Sequence, residues 1–423
     1  MEINYRRTTV SCFVGIFVQA IITNLTALLF VPMMDLYGFS YQHLGILVGI
    51  NFTAQVTADI LCSGLVDKLG FRKMVLPTNI LSFLGLILFA LAPVLFPGHV
   101  FVGIVIATII FAFSGGLLEI LLSPIIAAIP GDDKGPAMSL MHSFYAWGQV
   151  ATIILTTVFL FVSGSGNWQM IALMWAVVPL VNFFMFLKSP FPSAVPEEHR
   201  QGFRKLTLQP FFLLALAAIF LGGGAEVAMN QWASTFMEKG LALPKLTGDL
   251  LGMCGYAVMI GVGRMLYGIK GAQMNLHRVL IGGALLSVLC YMIAAVSPLR
   301  WLSIAACILC GLGTSLLWPG TLVVSSERYP LAGAWMFAIL AMSGDVGAAV
   351  APWLTGVVVD WTNGTAAAAA VSRLLHVSVE QGAMRIGIMV VVVFPLLALV
   401  VHCILYRLKG KELSGGLEPG SLK

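Results

Sequence analysis

Twelve long apolar runs divide this chain, at 9–34, 45–66, 74–95, 99–129, 137–163, 168–188, 209–237, 248–269, 278–297, 301–326, 332–360 and 384–408. Each has close to the ~20 apolar residues that a helix needs to cross a bilayer. Backbone in hydrocarbon must satisfy its own hydrogen bonds, and a helix does so within one segment. The pattern therefore predicts an all-α integral membrane protein with twelve transmembrane helices. Composition agrees. Only 10% of the 423 residues are charged and 59% are hydrophobic, whereas soluble domains carry about 25% charge. Such a chain can be neither a soluble enzyme nor a disordered one. Twelve spans and short loops use up the length, leaving no room for a large soluble domain. Arg6–Arg7 precede a run too long for a cleaved signal, so the first run reads as a retained span.

The longest break, 189–208, carries three Pro, two Glu and a basic cluster. It predicts an N-terminal six-helix half over 1–188, a cytoplasmic linker over 189–208, and a C-terminal half with a short tail over 209–423. Alternating the loops from a cytoplasmic N-terminus puts 18 of the 23 Lys and Arg inside, leaving Lys239, Lys245, Arg300, Arg373 and Arg385 outside. The excess of basic residues on one side predicts a multi-pass protein of the inner (plasma) membrane with both termini cytoplasmic. The same loops explain the net charge of +5, so no nucleic-acid partner is expected. Cys307 and Cys310 form a C-x-x-C inside an apolar run and read as small residues of a helix. Trp168, Trp301 and Trp361 stand at span ends and read as interfacial anchors. The sequon Asn363-Gly364-Thr365 reads as incidental. There is no phosphate-binding loop, metal-ligand cluster or nucleophile triad, so neither catalysis nor a cofactor is expected.

Between spans 2 and 3 the chain reads Ser63-Gly64-Leu65-Val66-Asp67-Lys68-Leu69-Gly70-Phe71-Arg72-Lys73. This resembles the G-x-L-a-D-r-x-G-r-k signature of the major facilitator superfamily. A degenerate second copy, Gly263-Arg264 to Gly268-Ile269-Lys270, has Tyr267 in place of the Asp. Ser123-Pro124 followed by Gly148-Gln149 is echoed by Trp318-Pro319 followed by Gly344-Asp345, as duplicated halves require. The resemblance implies two six-helix bundles, a substrate site at the midplane between them, and a cytoplasmic gate at Asp67, Gly70, Arg72 and Lys73. More narrowly, Gly115 to Glu119 with Ser123-Pro124, Leu140 to Gly148, and Gly224-Ala225-Glu226-Val227 resemble stretches of the fucose–proton symporter family. That likeness implies sugar transport coupled to protons through membrane acids. Here span 1 has no acid and offers Gln19, Thr23, Asn24 and Thr26 instead.

Four acids fall inside spans: Asp59, Glu119, Glu226 and Asp345. No Lys or Arg is expected at comparable depth, because Arg264 stands near a cytoplasmic end where it can snorkel out. A carboxylate in the membrane is costly and marks a functional site by default. Burial without a cation favours the neutral acid, which can load and release a proton. All four are candidate coupling residues, with sodium as the alternative ion. Anionic substrates call for Arg or Lys, so a neutral or cationic solute is expected.

Asn51, Gln55, Asp59 and Ser63 share one helix face, either lining the path or bonding to the other half. His142, Tyr145 and Gln149 share another, as do Glu226 and Asn230. Sugar hydroxyls need amides and acids, and sugar faces need aromatic rings. Candidate substrate-binding residues are therefore Glu226, Asn230, Gln231, Trp232, Tyr145, His142, Gln149 and Asn24, with Trp147 a further ring in span 5. The expected function is proton-coupled uptake of a neutral sugar or similar small polar solute by alternating access. A proton-antiporting exporter of hydrophobic or cationic compounds is the alternative, and a sensor without flux is a third reading. One copy in a lipid bilayer is enough for any of them.

Overall fold

The computed structural model describes residues 4–129, 134–192, 209–270, 273–329 and 334–414. Among these residues, twelve helices are long and apolar enough to cross a membrane. The helices of the first half are α1 (Arg6–Leu28), its continuation α2 (Phe30–Tyr37), α3 (Tyr41–Leu69), α4 (Phe71–Leu95), α5 (Val100–Ala128), α6 (Lys134–Ser163) and α7 (Trp168–Leu187). In the second half, α8 (Pro210–Thr235) runs on through Gly240. The next span starts at Lys245 and continues into α9 (Gly255–Lys270). Then come α10 (Leu276–Val296), α11 (Arg300–Thr314) and α12 (Leu317–Arg328), the last two forming one broken span. They are followed by α13 (Ala334–Thr362), a short α14 (Ala366–Leu375), and the last span, divided into α15 (Val379–Val390) and α16 (Val393–Ser414). Most of the predicted linker, 193–208, lies outside the described residues.

An even number of crossings returns the chain to its starting side. The start of α1 and the end of α16 mark the terminal end, and the opposite one is the distal end. Helices pack mainly within their own half: α3 and α4 on α5, α7 on α4, and α1 against α6; then α8 against α13 and α16, and α10 against α11. The halves meet chiefly along α3 and α13, with smaller contacts of α1 on α8 and of α6 on the 248–254 turn. The duplicated motifs occupy matching places. Gly148 of α6 packs on Phe17 and Ala20 of α1, and Gly344 of α13 on Trp318 and Gly223 of α8.

The α3–α13 seam is tight toward the distal end. A Cβ on Gly356 would stand 2.4 Å from the Tyr41 carbonyl oxygen, so only glycine lets the two backbones approach this closely. Between α3 and α4 the connection is a single residue, Gly70, with φ 80°. That left-handed conformation is cheap only for glycine.

The 361–383 break holds an element the hydropathy pattern hides. Thr365 caps α14 and Ser378 caps α15 with a reciprocal Gln381 bond, which satisfies otherwise orphaned N–H groups. Trp301 and Trp361 are exposed, as membrane-surface anchors would be, but Trp168 is not. It is fully buried, its ring lies edge-on to Phe89, and its N–H donates to the Tyr37 hydroxyl at 3.1 Å. The anchor reading of Trp168 is corrected: the indole found a buried acceptor. Cys307 and Cys310 are buried and unbridged.

Candidate functional site

Where the two halves meet, α1, α6 and α8 bring their polar faces together. Gln149 donates to Asn230 Oδ1 at 2.8 Å, Asn230 donates to Asn24 Oδ1 at 3.2 Å, and Gln231 donates to the Thr23 carbonyl at 3.1 Å. Tyr145 reaches Thr23 and Asn24. All four amides are buried, and each must find a partner or cost stability. Gln149, Asn230 and Asn24 find one another across the two halves, and Gln231 finds the Thr23 backbone carbonyl. Trp232 stands apart. It is fully buried, with its N–H donated to the Pro352 carbonyl at 3.0 Å and its ring against Phe30 and Tyr41. It belongs to the distal seam and offers no face to a solute. Trp147 is 68% exposed on the outer surface of α6. The side chain of His142 lies outside the described residues.

Gln19 donates to Glu119 Oε2 at 2.8 Å. An amide in α1 thus holds the acid of α5, where the narrower family resemblance implies an acid in span 1. Gln19 was not among the candidate residues, although its i, i+4 relation to Thr23 put it on the same polar face. The α3 stripe splits in two. Asn51 donates to the Ile22 carbonyl at 3.0 Å and Gln55 to Asn51 at 2.8 Å, so this part joins α3 to α1 within the first half. A Cβ on Gly116 would meet the Gln55 carbonyl oxygen at 2.5 Å, which is why α5 carries glycine there. Asp59 continues the stripe differently. It lies within range of the charges of Glu119 and Asp345. Asp59 and Asp345 are 4% and 3% exposed. Among the described residues, Asp59 Oδ1 and Asp345 Oδ2 are buried without a hydrogen-bond partner. Three acids from α3, α5 and α13 therefore share a site that spans both halves.

Glu226 differs, and one expectation is overturned here. Arg264 does not snorkel out; it reaches inward and pairs with Glu226 Oε1 at 3.1 Å. The sequence supplies the reason. Pro319 has no N–H, which leaves the carbonyl four residues earlier, that of Ser315, without its helical donor. Arg264 Nε donates to that carbonyl at 3.1 Å, at the break between α11 and α12. The freed carbonyl and the carboxylate together outweigh the pull of the membrane surface. Tyr256 supports the pair, donating its hydroxyl to the Glu226 backbone carbonyl at 2.9 Å.

At the terminal end, Asp67's side chain lies outside the described residues. Among the described residues, Arg72 makes no acid pair there. It donates to the Leu187 carbonyl at 2.8 Å, at the C-terminus of α7, and lies over the Phe191 ring. Arg7 donates to the neighbouring Lys188 carbonyl. Cations at a helix C-terminus complement its dipole. Lys73 is exposed.

The sequence reading missed a polar seam at the distal end. Asp360 of α13 accepts from the backbone N–H groups of Tyr41 (3.1 Å) and Gln42 (2.5 Å), and the Tyr41 hydroxyl donates to Glu380 at 2.6 Å. Asp249 is fully buried and accepts from Thr157 of α6 at 2.9 Å, from Ser234, and from Lys245 at 3.0 Å. Lys239 meets Asp35 at 3.4 Å. The signal was present: five acids, Asp35, Glu238, Asp249, Asp360 and Glu380, stand at the distal ends of spans. Nothing in the sequence said that they face one another's halves.

The chain matches the sequence profile of the Major Facilitator Superfamily over residues 12–275. No curated protein matches it. Solved structures with the same fold include a bacterial homologue of the human lysosomal transporter Spinster in an inward-facing, occupied conformation. It has a TM-score of 0.75 at 15% identity, with 96% of this chain and 98% of that one covered. A D-xylose–proton symporter gives 0.72 at 13% identity over 93% and 97%. The E. coli fucose:proton symporter gives 0.62 at 16% identity over 96% and 98%. At these identities the likeness is one of fold.

Proposed function

The chain belongs to the major facilitator superfamily, and from that premise we propose that it is a proton-coupled importer of a neutral sugar or similar small polar solute, working by alternating access. The observation that carries this reading is the polar cluster between the halves. Asn24, Gln149 and Asn230 form a bridge of amides between the halves, with Gln231 on the Thr23 carbonyl, beside Tyr145 and the Glu226–Arg264 pair. Amide pairs exchange readily for solute hydroxyls, because each offers both a donor and an acceptor. Glu226 and Arg264 neutralise one another, so the site suits an uncharged solute. Likeness to sugar–proton symporters lends support at the level of fold.

The coupling proton is assigned to Asp59, Glu119 and Asp345 rather than to Glu226. A carboxylate paired with a guanidinium already has its counter-charge. Among the described residues Asp59 and Asp345 have none, and buried acids without one favour the neutral form. Placed in the inner membrane with both termini cytoplasmic, as the basic loops predict, the distal end is the outer face.

Uptake into proteoliposomes under an imposed pH gradient tests this. Sugar-dependent alkalinisation on the outer side supports symport, while drug-dependent proton release from the opposite side makes the protein an antiporting exporter. Asp59→Asn and Asp345→Asn are expected to abolish gradient-driven uptake and to spare solute exchange at equal pH. Gradient-driven uptake that survives both changes overturns the assignment.

A further inference from the structure

Four polar links cross the distal seam. In three of them the carboxylate belongs to the second half and the donor to the first: Asp360 with the Tyr41 and Gln42 amides, Glu380 with the Tyr41 hydroxyl, and Asp249 with Thr157. Lys239 to Asp35 is the reverse. The start of α3 explains why Asp360 matters most. A helix begins with four backbone N–H groups that have no partner inside it. The Ser40 side chain takes that of His43, and the Ser40 carbonyl takes that of Leu44. The remaining two, of Tyr41 and Gln42, are taken by Asp360 from the other half. The N-terminus of α3 is therefore capped in trans.

The charge balance adds to this. Asp360 stands two residues before the end of α13, where the helix dipole disfavours an anion. Against α3 it meets the opposite, favourable pole. Separating the halves here strands a carboxylate at the wrong end of its own helix and uncaps another. Asp249, fully buried, loses its Thr157 donor in the same movement. Tyr41 is itself buried in the seam, with its carbonyl against Gly356.

We propose that Asp360, Glu380 and Asp249 form a latch that holds the outer face closed, and that capping of α3 by Asp360 is its main element. The latch rests on the alternating-access reading, since it sets the balance between the closed and open outer face. Solute entry from outside then requires the α3 cap to be exchanged for water.

The test measures distance and needs no solute, so it fails separately from the transport reading. Leu36 on α2 and Leu374 on α14 are exposed at the distal end of opposite halves. They are changed to Cys and spin-labelled in the full chain, with Cys403 changed to Ser. Distance distributions are then recorded in proteoliposomes. Asp360→Ala is expected to raise the long-distance population about tenfold, the scale of losing a good helix cap. Tyr41→Phe keeps every backbone contact and removes only the Glu380 bond, so about threefold is expected. Distributions unchanged from the parent in both variants overturn the latch. If Asp360→Ala yields no folded protein, Tyr41→Phe and Thr157→Val decide: a shift toward long distances in either supports the latch, and none in both overturns it.

Discussion

Arg264 shows how one residue changes the reading of a site. By position alone it is a loop-proximal cation that should point to water. In the fold it faces Glu226 and the Ser315 carbonyl freed by Pro319. This pairing moves Glu226 from the list of unmatched acids to the list of solute contacts. Among the described residues, Asp59 and Asp345 each keep a buried oxygen without a hydrogen-bond partner and pair with no cation, whereas Glu226 has one oxygen on Arg264 and the other unpartnered. The pair is only partly buried, but breaking it from one side still leaves a charge short of its partner, and removing both partners relieves this. Arg264→Gln is therefore expected to lower the melting temperature more than the double variant Arg264→Gln with Glu226→Gln. A thermal-shift series in detergent checks this, and additive losses would count against a coupled pair.

At the scale of elements, the helix ends carry information that hydropathy does not. Arg385 reads from the sequence as one of the five basic residues outside. In the structure it is 2% exposed and donates to the carbonyls of Ala294, Ala295 and Ser297 at the end of α10. This is the cation that a helix C-terminus favours, brought by α15 from elsewhere in the chain. Arg385→Met is expected to cost about 2–3 kcal/mol, the scale of losing bonds to a charged donor. Chemical-denaturation midpoints of the purified protein provide the measurement. The α3–α13 seam makes the same point about backbones. Gly356 sits against Tyr41, and Gly356→Val is expected to pry the seam apart and lower both stability and uptake. Wild-type uptake by a folded Gly356→Val protein would mean that the close approach is dispensable.

For the whole molecule, the packing predicts independence of the halves. Helices pack mostly within 1–192 and within 209–414, and the halves meet along a limited seam. We propose that residues 1–188 and 209–423 behave as separate units joined by the 189–208 linker. Co-expressed without the linker, they should co-purify and recover a substantial part of uptake, while neither half alone transports. Failure of the two pieces to associate would show that the linker is needed for assembly.

The sequence determined the fold class, because a run of ~20 apolar residues has few options but a membrane helix. Twelve such runs and a duplicated motif brought the architecture with them. Periodicity also found the right polar faces: Asn24, Gln149 and Asn230 do meet. It could not say which helix each face meets, since i, i+4 spacing describes one helix and not its neighbour. Only the tertiary structure decided that Arg264 turns inward, that Trp168 and Trp232 are packed away, and that Asp360 caps a helix from the other half. Each of these outcomes depends on a partner more than 35 residues away, and a carbonyl or an amide partner leaves no signature in the side-chain sequence.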